Sequence, residues 1–320
     1  MPVSGPSEHA GATAPQPSLR LAFVLLFAVI VIWGANWPIM KIGLDYIAPL
    51  TFSAARLALG ALTMVLFLAA RGELAWPARA DMPVVISVGL LQLAAFLIFI
   101  NLALTHVDAG RSAILSYTTM IWVTPAAVWL LGETLTPAKI IGVLCGLAGV
   151  AVMFNPASFD WSDRAGLIGN AYLLAGAFAW AIGILHVRAH RWQQSPLVLA
   201  PWQMLVGLVP TVVLALALEN DAPLRWSPEL IAVLAYNGPI ATALGLWAWI
   251  TVNRGLPAIA SSMGSLGVPL AGVVLATVVL GEPVTFDNAA GLALIAVGIA
   301  LVGRAAAKES ENGRAAGKGT

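Results

Sequence analysis

Long apolar stretches recur along the whole chain, and each is long enough to form a helix that crosses a membrane. A helix needs about 20 mainly apolar residues to cross the hydrocarbon core of a bilayer. Ten such stretches are found, at 21–41, 49–70, 83–105, 110–131, 138–154, 165–187, 196–218, 229–252, 257–280 and 287–303. The linkers between them are short and rich in proline, glycine and charge. The pattern predicts an all-α integral membrane protein with ten transmembrane helices.

The composition excludes an ordinary water-soluble protein. The chain is 60% hydrophobic and 10% charged, whereas soluble domains carry about 25% charged residues. A net charge of +1 with scattered basic residues provides no basic patch, so nucleic acid is not an expected partner. The surface is expected to face membrane lipid.

Neither a metal site nor a cofactor is expected. The single cysteine, Cys145, lies in an apolar stretch, so a disulfide framework and a thiolate metal cluster are both excluded. The histidines His9, His106, His186 and His190 lack the spacing of metal ligands. No activated nucleophile is recognisable, and we do not expect an enzyme.

The two ends of the chain differ from the apolar region between them. Residues 1–19 are small, polar and proline-rich, and residues 304–320 are charged and rich in glycine and alanine. Both segments are expected to be disordered tails. The first apolar stretch is too long and begins too late for a cleaved signal peptide, and is therefore interpreted as the first span.

The placement of basic residues predicts the orientation, because short cytoplasmic loops are enriched in Lys and Arg. With the N-terminus inside, eleven basic residues fall on the cytoplasmic side: Arg20, Arg71, Arg79, Lys139, Arg188, Arg191, Arg254, Arg304, Lys308, Arg314 and Lys318. Four fall outside, namely Lys41, Arg111, Arg164 and Arg225, and Arg56 lies inside a span. The protein is therefore expected in a bacterial-type inner (plasma) membrane with both termini in the cytoplasm.

The chain contains an internal repeat. Residues 128–154 match residues 277–303 at an offset of 149, including a shared "LGE". Further matches at an offset of 147 pair Trp33 with Trp180, Arg56 with Gln203 and Gly60 with Gly207. The halves are 20–154 and 165–303; each holds five spans, and an odd number inverts the second half relative to the first. Inverted repeats are typical of carriers that work by alternating access.

These residues resemble a known family. The segment "WGANWPIMKIGLDYIAPLTFSAARLALGAL", both "LGE" helix ends and the "WQMLVG" opening of the seventh span resemble the EamA family of the drug/metabolite transporter superfamily, over about residues 20–303. The family pattern of W-G-x-N, a Lys and then an Arg falls on Trp33, Gly34, Asn36, Lys41 and Arg56. The resemblance implies a central cavity between the halves, peripheral fifth and tenth spans, and export or exchange of small solutes such as amino acids or nucleosides.

One departure from the family pattern concerns the helix breaks. A proline often precedes the Glu of the "GE" turn by thirteen residues; it is present as Pro269, whereas the first half has Met120 there and Pro125 later. The fourth span is therefore expected to break at a different level from the ninth.

Trp33, Asn36 and Trp37 share one face of the first span and suit the floor of a binding pocket. The alternative is that the indoles only pack and the amide only bonds a neighbouring helix. Arg56 lies in the second span, where an unpaired charge costs several kcal/mol or more. It either bonds helix carbonyls freed near Pro38 or binds a substrate carboxylate.

Further polar and aromatic residues inside spans complete the candidate substrate-binding set: Gln92, Tyr117, Trp180, Gln203 and Ser262. Each taken alone is more typical of a helix contact, and only the set drawn from both halves indicates a chamber. Trp76, Trp161, Trp192 and Trp226 lie in linkers and are interpreted as membrane-interface residues. Glu133 and Glu282 are expected to bond the N-terminus of the following span.

The sequence therefore predicts a secondary transporter that exports or exchanges a small metabolite, an amino acid in the first instance. No acid lies in the middle of a span, which disfavours strongly cationic solutes. A nucleoside exporter is the alternative within the same family, and a channel or structural membrane protein is the alternative from another class. The substrate and lipid are the expected partners. One chain is expected to function alone, and the sequence does not decide whether it also forms a homo-oligomer.

The orientation gives a first testable prediction. A periplasm-dependent reporter fused after Thr320 should stay inactive, and a cytoplasm-dependent reporter at the same position should be active, because basic residues accumulate on the side of both termini. The same pair of reporters fused after residue 163, in an expected outer loop, should give the opposite result. An active periplasmic reporter at the C-terminus would contradict the assignment.

Overall fold

The structure, a computed structural model, describes residues 16–107, 109–116, 118–154, 162–280 and 286–317. Within these ranges the chain is helical and contains no strand. Its helices are α1 Leu19–Leu44, α2 Pro49–Ala70, α3 Met82–Ser87, α4 Phe96–Leu104, α5 Ala109–Ser116, α6 Thr119–Leu131, α7 Pro137–Phe154, α8 Arg164–Ala189, α9 Pro196–Leu218, α10 Pro228–Ala235, α11 Gly245–Gly255, α12 Ala258–Ser265, α13 Gly267–Leu280 and α14 Phe286–Gly317.

The helices have the length and the surface of membrane spans. Among the described residues, eight helical runs are long and apolar enough to cross a bilayer, and two apolar runs, Pro137–Val152 and Ala258–Gly272, are shorter. Large apolar side chains such as Phe27, Val209 and Trp129 point outward from the bundle, Trp129 with 84% of its surface exposed. The prediction of an all-α membrane protein is confirmed, and the count of ten crossings stays a prediction.

Four of the expected spans are interrupted, in pairs at matching positions. The third and eighth expected spans contain π-helical segments, Val88–Ala95 and Tyr236–Leu244. The fourth ends its first part at Ser116 and resumes at Thr119, and the ninth ends its first part at Ser265 and resumes at Gly267. The expectation that the fourth and ninth spans break at different levels is wrong, because the two interruptions fall at matching positions of the repeat. Pro125 lies within α6, so the prolines do not set the level of the break.

Several glycine crossings bring the halves together, and two of them lie at the π-helical segments. A Cβ atom built on Gly60 of α2 would lie 3.2 Å from the carbonyl oxygen of Gly238, in the second π-helical segment. A Cβ atom built on Gly207 of α9 would lie 2.7 Å from the carbonyl oxygen of Gly89, in the first. A side chain at Gly207 would force the backbones apart, and one at Gly60 would be unusually tight, so small residues allow this close approach. Each half thus packs one helix against the π-helical segment of the other.

Side chains also join the halves at both ends of the bundle. Each end is named after a connecting segment that lies in it: the 45–48 face follows α1, and the 71–78 face follows α2. At the 45–48 face, the Glu219 carboxylate accepts hydrogen bonds from Leu50 N at 2.9 Å, Thr51 N at 2.7 Å and Thr51 Oγ1 at 2.9 Å. It thereby satisfies free N–H groups at the N-terminus of α2. In the same loop, Arg225 donates to the carbonyl oxygens of Asp45 and Tyr46.

At the opposite end, the 71–78 face, a buried carboxylate has the same linking role. Asp81 accepts hydrogen bonds from Gln193 N at 3.0 Å and Gln194 N at 2.8 Å, and its Oδ1 lies 2.9 Å from His190 Nε2. Trp76 and Trp202 stack with ring centroids 4.2 Å apart. Contacts between the halves therefore hold α2 and α9 at both ends of the bundle.

The C-terminal segment differs from its prediction. Residues after Arg304 were expected to be disordered, but α14 continues to Gly317. Glu309 explains part of this order: its Oε2 lies 2.8 Å from the Nζ of Lys139, which is 1% exposed. The Lys139 ammonium also donates to the carbonyl oxygen of Thr134 at 2.9 Å. The ion pair fixes the helix extension against the α6–α7 turn.

Two further local predictions need correction. The Glu133 carboxylate accepts hydrogen bonds from Ala258 N at 2.5 Å and Ile259 N at 3.2 Å, so it holds the start of α12 rather than the start of α7. Trp192 is 4% exposed and lies under the Arg254 guanidinium, 5.0 Å from its ring centroid, so it is not an interface residue. Glu282 and Trp161 lie outside the described residues.

We predict that Glu219→Gln lowers the free energy of unfolding by about 1–2 kcal/mol, because the N-terminus of α2 loses a charged cap. Unfolding in detergent measures this. Asp221→Asn is the matched control: Asp221 is an exposed acid of the same loop, and its substitution should have an effect below about 0.5 kcal/mol. Equal effects of the two substitutions would contradict a capping role.

Candidate functional site

A cavity lies between the halves, and its lining residues run from the middle of the bundle toward the 45–48 face. Its lining comes from α1, α2, α4, α8, α11 and both π-helical segments: Trp33, Asn36, Trp37, Met40, Arg56, Gln92, Leu93, Phe96, Leu97, Ile100, Trp180, Ala241, Thr242 and Leu246. The lining is mostly apolar and aromatic with a few polar groups, which is the usual composition of small-molecule sites.

The wall of the cavity nearer the middle of the bundle is aromatic. The ring centroids of Trp33 and Trp180 lie 5.5 Å apart in an edge-to-face arrangement, and those of Phe96 and Trp180 lie 4.3 Å apart. Trp249 packs behind them, 5.7 Å from Trp33 and 5.8 Å from Trp180. Trp33 Nε1 donates to the carbonyl oxygen of Ala241 at 2.9 Å, which fixes the indole. The wall offers rigid apolar faces for stacking.

Among the described residues that line the cavity, Arg56 is the one cation, and it faces this wall. Arg56 is 4% exposed, and its Nε donates to Thr242 Oγ1 at 3.0 Å, while its Nη1 lies 3.1 Å from the Met40 sulfur. No ion pair joins Arg56 to an acid in the described part of the chain. A guanidinium has five N–H donors, and a neutral hydroxyl and a thioether satisfy few of them. The remaining donors suit an anionic ligand group.

Two amide oxygens in the lining lack partners within the described residues: Asn36 Oδ1 and Gln92 Oε1. The Gln92 Nε2 atom donates to the carbonyl oxygen of Trp180 at 3.4 Å, which holds the amide against the aromatic wall. Unpaired buried acceptors are costly. The cavity thus combines a positively charged hydrogen-bond donor, Arg56, with two amide oxygens that lack a partner among the described residues.

The structure brings most of the predicted binding residues together. Trp33, Asn36, Trp37, Arg56, Gln92 and Trp180 all line the cavity. Gln203 and Ser262 do not line it; both are 0% exposed, and Ser262 Oγ donates to the carbonyl oxygen of Ile259 at 3.0 Å. Both side chains are buried in helix contacts instead, since the faces of α9 and α12 that carry them turn toward neighbouring helices. Tyr117 lies outside the described residues.

Sequence reasoning missed two lining residues with a clear role. Thr242 holds Arg56, and Phe96 extends the aromatic wall. Both belong to helices whose rotation a sequence does not reveal, and neither has a partner at a recognisable spacing. Among the described residues there is no group of three or more His, Cys, Asp or Glu side chains that would hold a metal.

Comparison with known proteins agrees with this architecture. The model of the EamA-like transporter family matches the chain twice, over residues 20–155 and 167–304. The chain belongs to the EamA-like transporter family. Its membership establishes a multi-pass membrane transporter, and nothing in the family or in the relatives points to an enzyme.

Relatives in Bacillus subtilis and Escherichia coli are named as transporters or as a probable efflux pump. The EamA-like chain is 26% identical over 274 residues to the transporter YoaV of Bacillus subtilis, covering 86% of this chain and 94% of YoaV. It is 28% identical to the transporter YvbV of the same organism, over 89% of this chain and 92% of YvbV. It is 25% identical to a probable amino-acid metabolite efflux pump of Escherichia coli, over 86% of this chain and 92% of the pump.

A solved crystal structure has the same fold. It aligns with a TM-score of 0.71 at 20% sequence identity and covers 88% of this chain and 97% of its own. This likeness concerns the fold alone. The whole transporter body, rather than one half, therefore has a structural counterpart.

We predict that Thr242→Val destabilises this EamA-like transporter by about 1–3 kcal/mol, because a buried Arg56 N–H loses its acceptor. Unfolding in detergent measures the change. Thr251→Val is the matched control, since the Thr251 hydroxyl donates only to the Trp247 carbonyl of its own helix and its loss should cost below about 1 kcal/mol. A larger effect at Thr251 than at Thr242 would contradict the role of Thr242.

Proposed function

We propose that this EamA-like transporter exports or exchanges a small zwitterionic metabolite, an amino acid, by alternating access. The observation that carries the proposal is the buried Arg56 guanidinium without an acidic partner, set across one cavity from two unpaired amide oxygens. A ligand with one anionic and one cationic group complements this arrangement.

The carboxylate of the substrate pairs with Arg56. Charge-assisted hydrogen bonds are roughly twice as strong as neutral ones, and the guanidinium fork matches a carboxylate. Thr242 and Met40 hold two of the guanidinium nitrogens and leave the rest of the fork to the ligand. The structural role of Arg56 and its binding role are therefore compatible.

The rest of the ligand meets the other two features of the cavity. Its ammonium group donates to Asn36 Oδ1 and Gln92 Oε1, which are the free acceptors of the lining. Its side chain packs on the indoles of Trp33 and Trp180. Gln203 and Ser262, which the sequence placed in the same site, take no part in this conformation.

The relatives support an amino acid over other small metabolites. Two relatives, from Escherichia coli and Salmonella typhimurium, are named as probable amino-acid metabolite efflux pumps. A nucleoside, the alternative that the sequence left open, stacks equally well on indoles but has no carboxylate for Arg56. We therefore place the amino acid first.

The architecture of the proposed carrier is ten crossings in two inverted halves, 20–154 and 165–303, with both termini in the cytoplasm of an inner-membrane protein. The matched pairs of π-helical segments and of helix breaks support a duplicated fold. The two glycine crossings, each between one half and the other, support a single chain as the functional unit. Two similar halves with nearly equal energies in exchanged conformations give alternating access.

Reconstituted protein should take up amino acids with saturation and counterflow, and should discriminate each amino acid from its decarboxylated amine. Arg56→Gln should abolish this discrimination and weaken apparent affinity for the amino acid by about 10-fold or more, because the charge-assisted bonds are lost. Arg191→Gln, at an exposed arginine outside the cavity, is the matched control and should behave as wild type.

Three results would reject the proposal. Flux of phosphorylated sugars without flux of amino acids would exclude a zwitterionic substrate, and flux of nucleosides alone would select the alternative. Flux without saturation would indicate a channel. Unfolding measured on Arg56→Gln separates a folding defect from a binding defect, since a binding role predicts lost discrimination in protein that remains folded.

A further inference from the structure

The two members of one repeat pair, Arg56 and Gln203, occupy different surroundings. Arg56 lies one helical turn before the crossing glycine Gly60, and Gln203 lies one turn before the crossing glycine Gly207. The two side chains therefore hold the same place in their halves. Arg56 lines the cavity, whereas Gln203 does not.

Gln203 is buried without any hydrogen bond. Its side chain is 0% exposed, and neither Oε1 nor Nε2 has a partner among the described residues. A fully buried amide without partners destabilises the conformation in which it occurs. We therefore expect a second conformation of the protein in which the Gln203 amide forms hydrogen bonds.

The part of the second half that matches the cavity lining is closed in this structure. Asn36, Trp37 and Met40 correspond at an offset of 147 to residues 183, 184 and 187. Ile184 is 0% exposed and Val187 is 1% exposed, and Val187 belongs to an apolar cluster that includes Leu199 and Ile250. The cluster also contains Ala200, and both Leu199 and Ala200 precede Gln203 in α9 on the side of the 71–78 face.

We propose that Gln203 is the substrate-binding residue of the conformation that opens toward the 71–78 face, where it takes the place that Arg56 has here. This inference rests on the proposed amino-acid function and on exchange of conformation between the halves. The substrate carboxylate then meets a guanidinium in one conformation and a neutral amide in the other. Since charge-assisted bonds are stronger, the transporter binds its substrate more tightly from the 45–48 face than from the 71–78 face.

The first test measures transport from each face. Gln203→Met keeps the side-chain volume and removes the amide, so the KM measured from the 71–78 face should rise about 5-fold. The KM from the 45–48 face should change by less than about 2-fold, since Gln203 has no contact with the cavity there. Thr211→Val is the matched control, because the Thr211 hydroxyl donates within the same helix to Gly207 O. Its effect on the KM should be the same from both faces.

Unfolding of the same variant checks a purely structural role. Removing an unpaired buried amide should leave the melting temperature of Gln203→Met unchanged or raise it. A lower melting temperature together with an equal KM change at both faces would overturn the proposal. An equal KM at both faces of the wild type would also overturn it.

The second test does not depend on the substrate. In a Cys145→Ser background, Gln203→Cys should react with a membrane-impermeant thiol reagent applied at the 71–78 face, and Arg56→Cys should react from the 45–48 face. Glu73→Cys, at an exposed position of the 71–78 face, reports the orientation of the vesicles. Reaction of Gln203→Cys from the 45–48 face, or from neither face, would refute the inference even if amino-acid transport is found. Reaction from the 71–78 face without amino-acid transport would retain the alternating exposure of Gln203 and reject the substrate assignment.

Discussion

The close backbone contact at two glycine crossings is the constraint on which the rest of the structure depends. Gly60 meets Gly238 and Gly207 meets Gly89, each pair joining one half to the other. In lipid there is no hydrophobic force between helices, so contacts of this kind supply much of the association. They also set the positions of Arg56 and Gln203, which lie one turn away on the same helix faces. A bulky residue at any crossing would separate the helices that carry the site.

Arg56 shows how a charge is kept inside a membrane protein. Its cost in a bilayer is several kcal/mol or more, and the described residues offer it a hydroxyl, a thioether and a cavity rather than an acid. An acid would have neutralised the guanidinium and left nothing for a ligand. The incomplete pairing is therefore more informative about function than the presence of the arginine itself.

The carboxylates that link the halves lie outside the cavity. Glu219 caps α2 at one face, Asp81 binds the turn before α9 at the other, and Glu133 caps α12. Each meets free backbone N–H groups of the opposite half, which attract a carboxylate at a helix terminus or turn. These three acids stabilise contacts between the halves, whereas the described residues that line the cavity supply one cation, amides and aromatic rings.

The sequence by itself determined the apolar spans, the repeat and six of the residues that meet in the cavity, because span length and residue spacing are local properties of the chain. It gave no indication that Thr242 would hold Arg56, that Glu133 would cap α12 instead of α7, or that Trp192 would be buried. It also predicted that Gln203 and Trp180 line one site together with Arg56 and Trp33. The repeat makes Gln203 equivalent to Arg56 and Trp180 equivalent to Trp33, so the sequence offers no reason to treat them differently. Only the tertiary structure distinguished Arg56 from Gln203, because a single conformation rotates and packs the two halves differently and so places Arg56 in the cavity lining and Gln203 outside it.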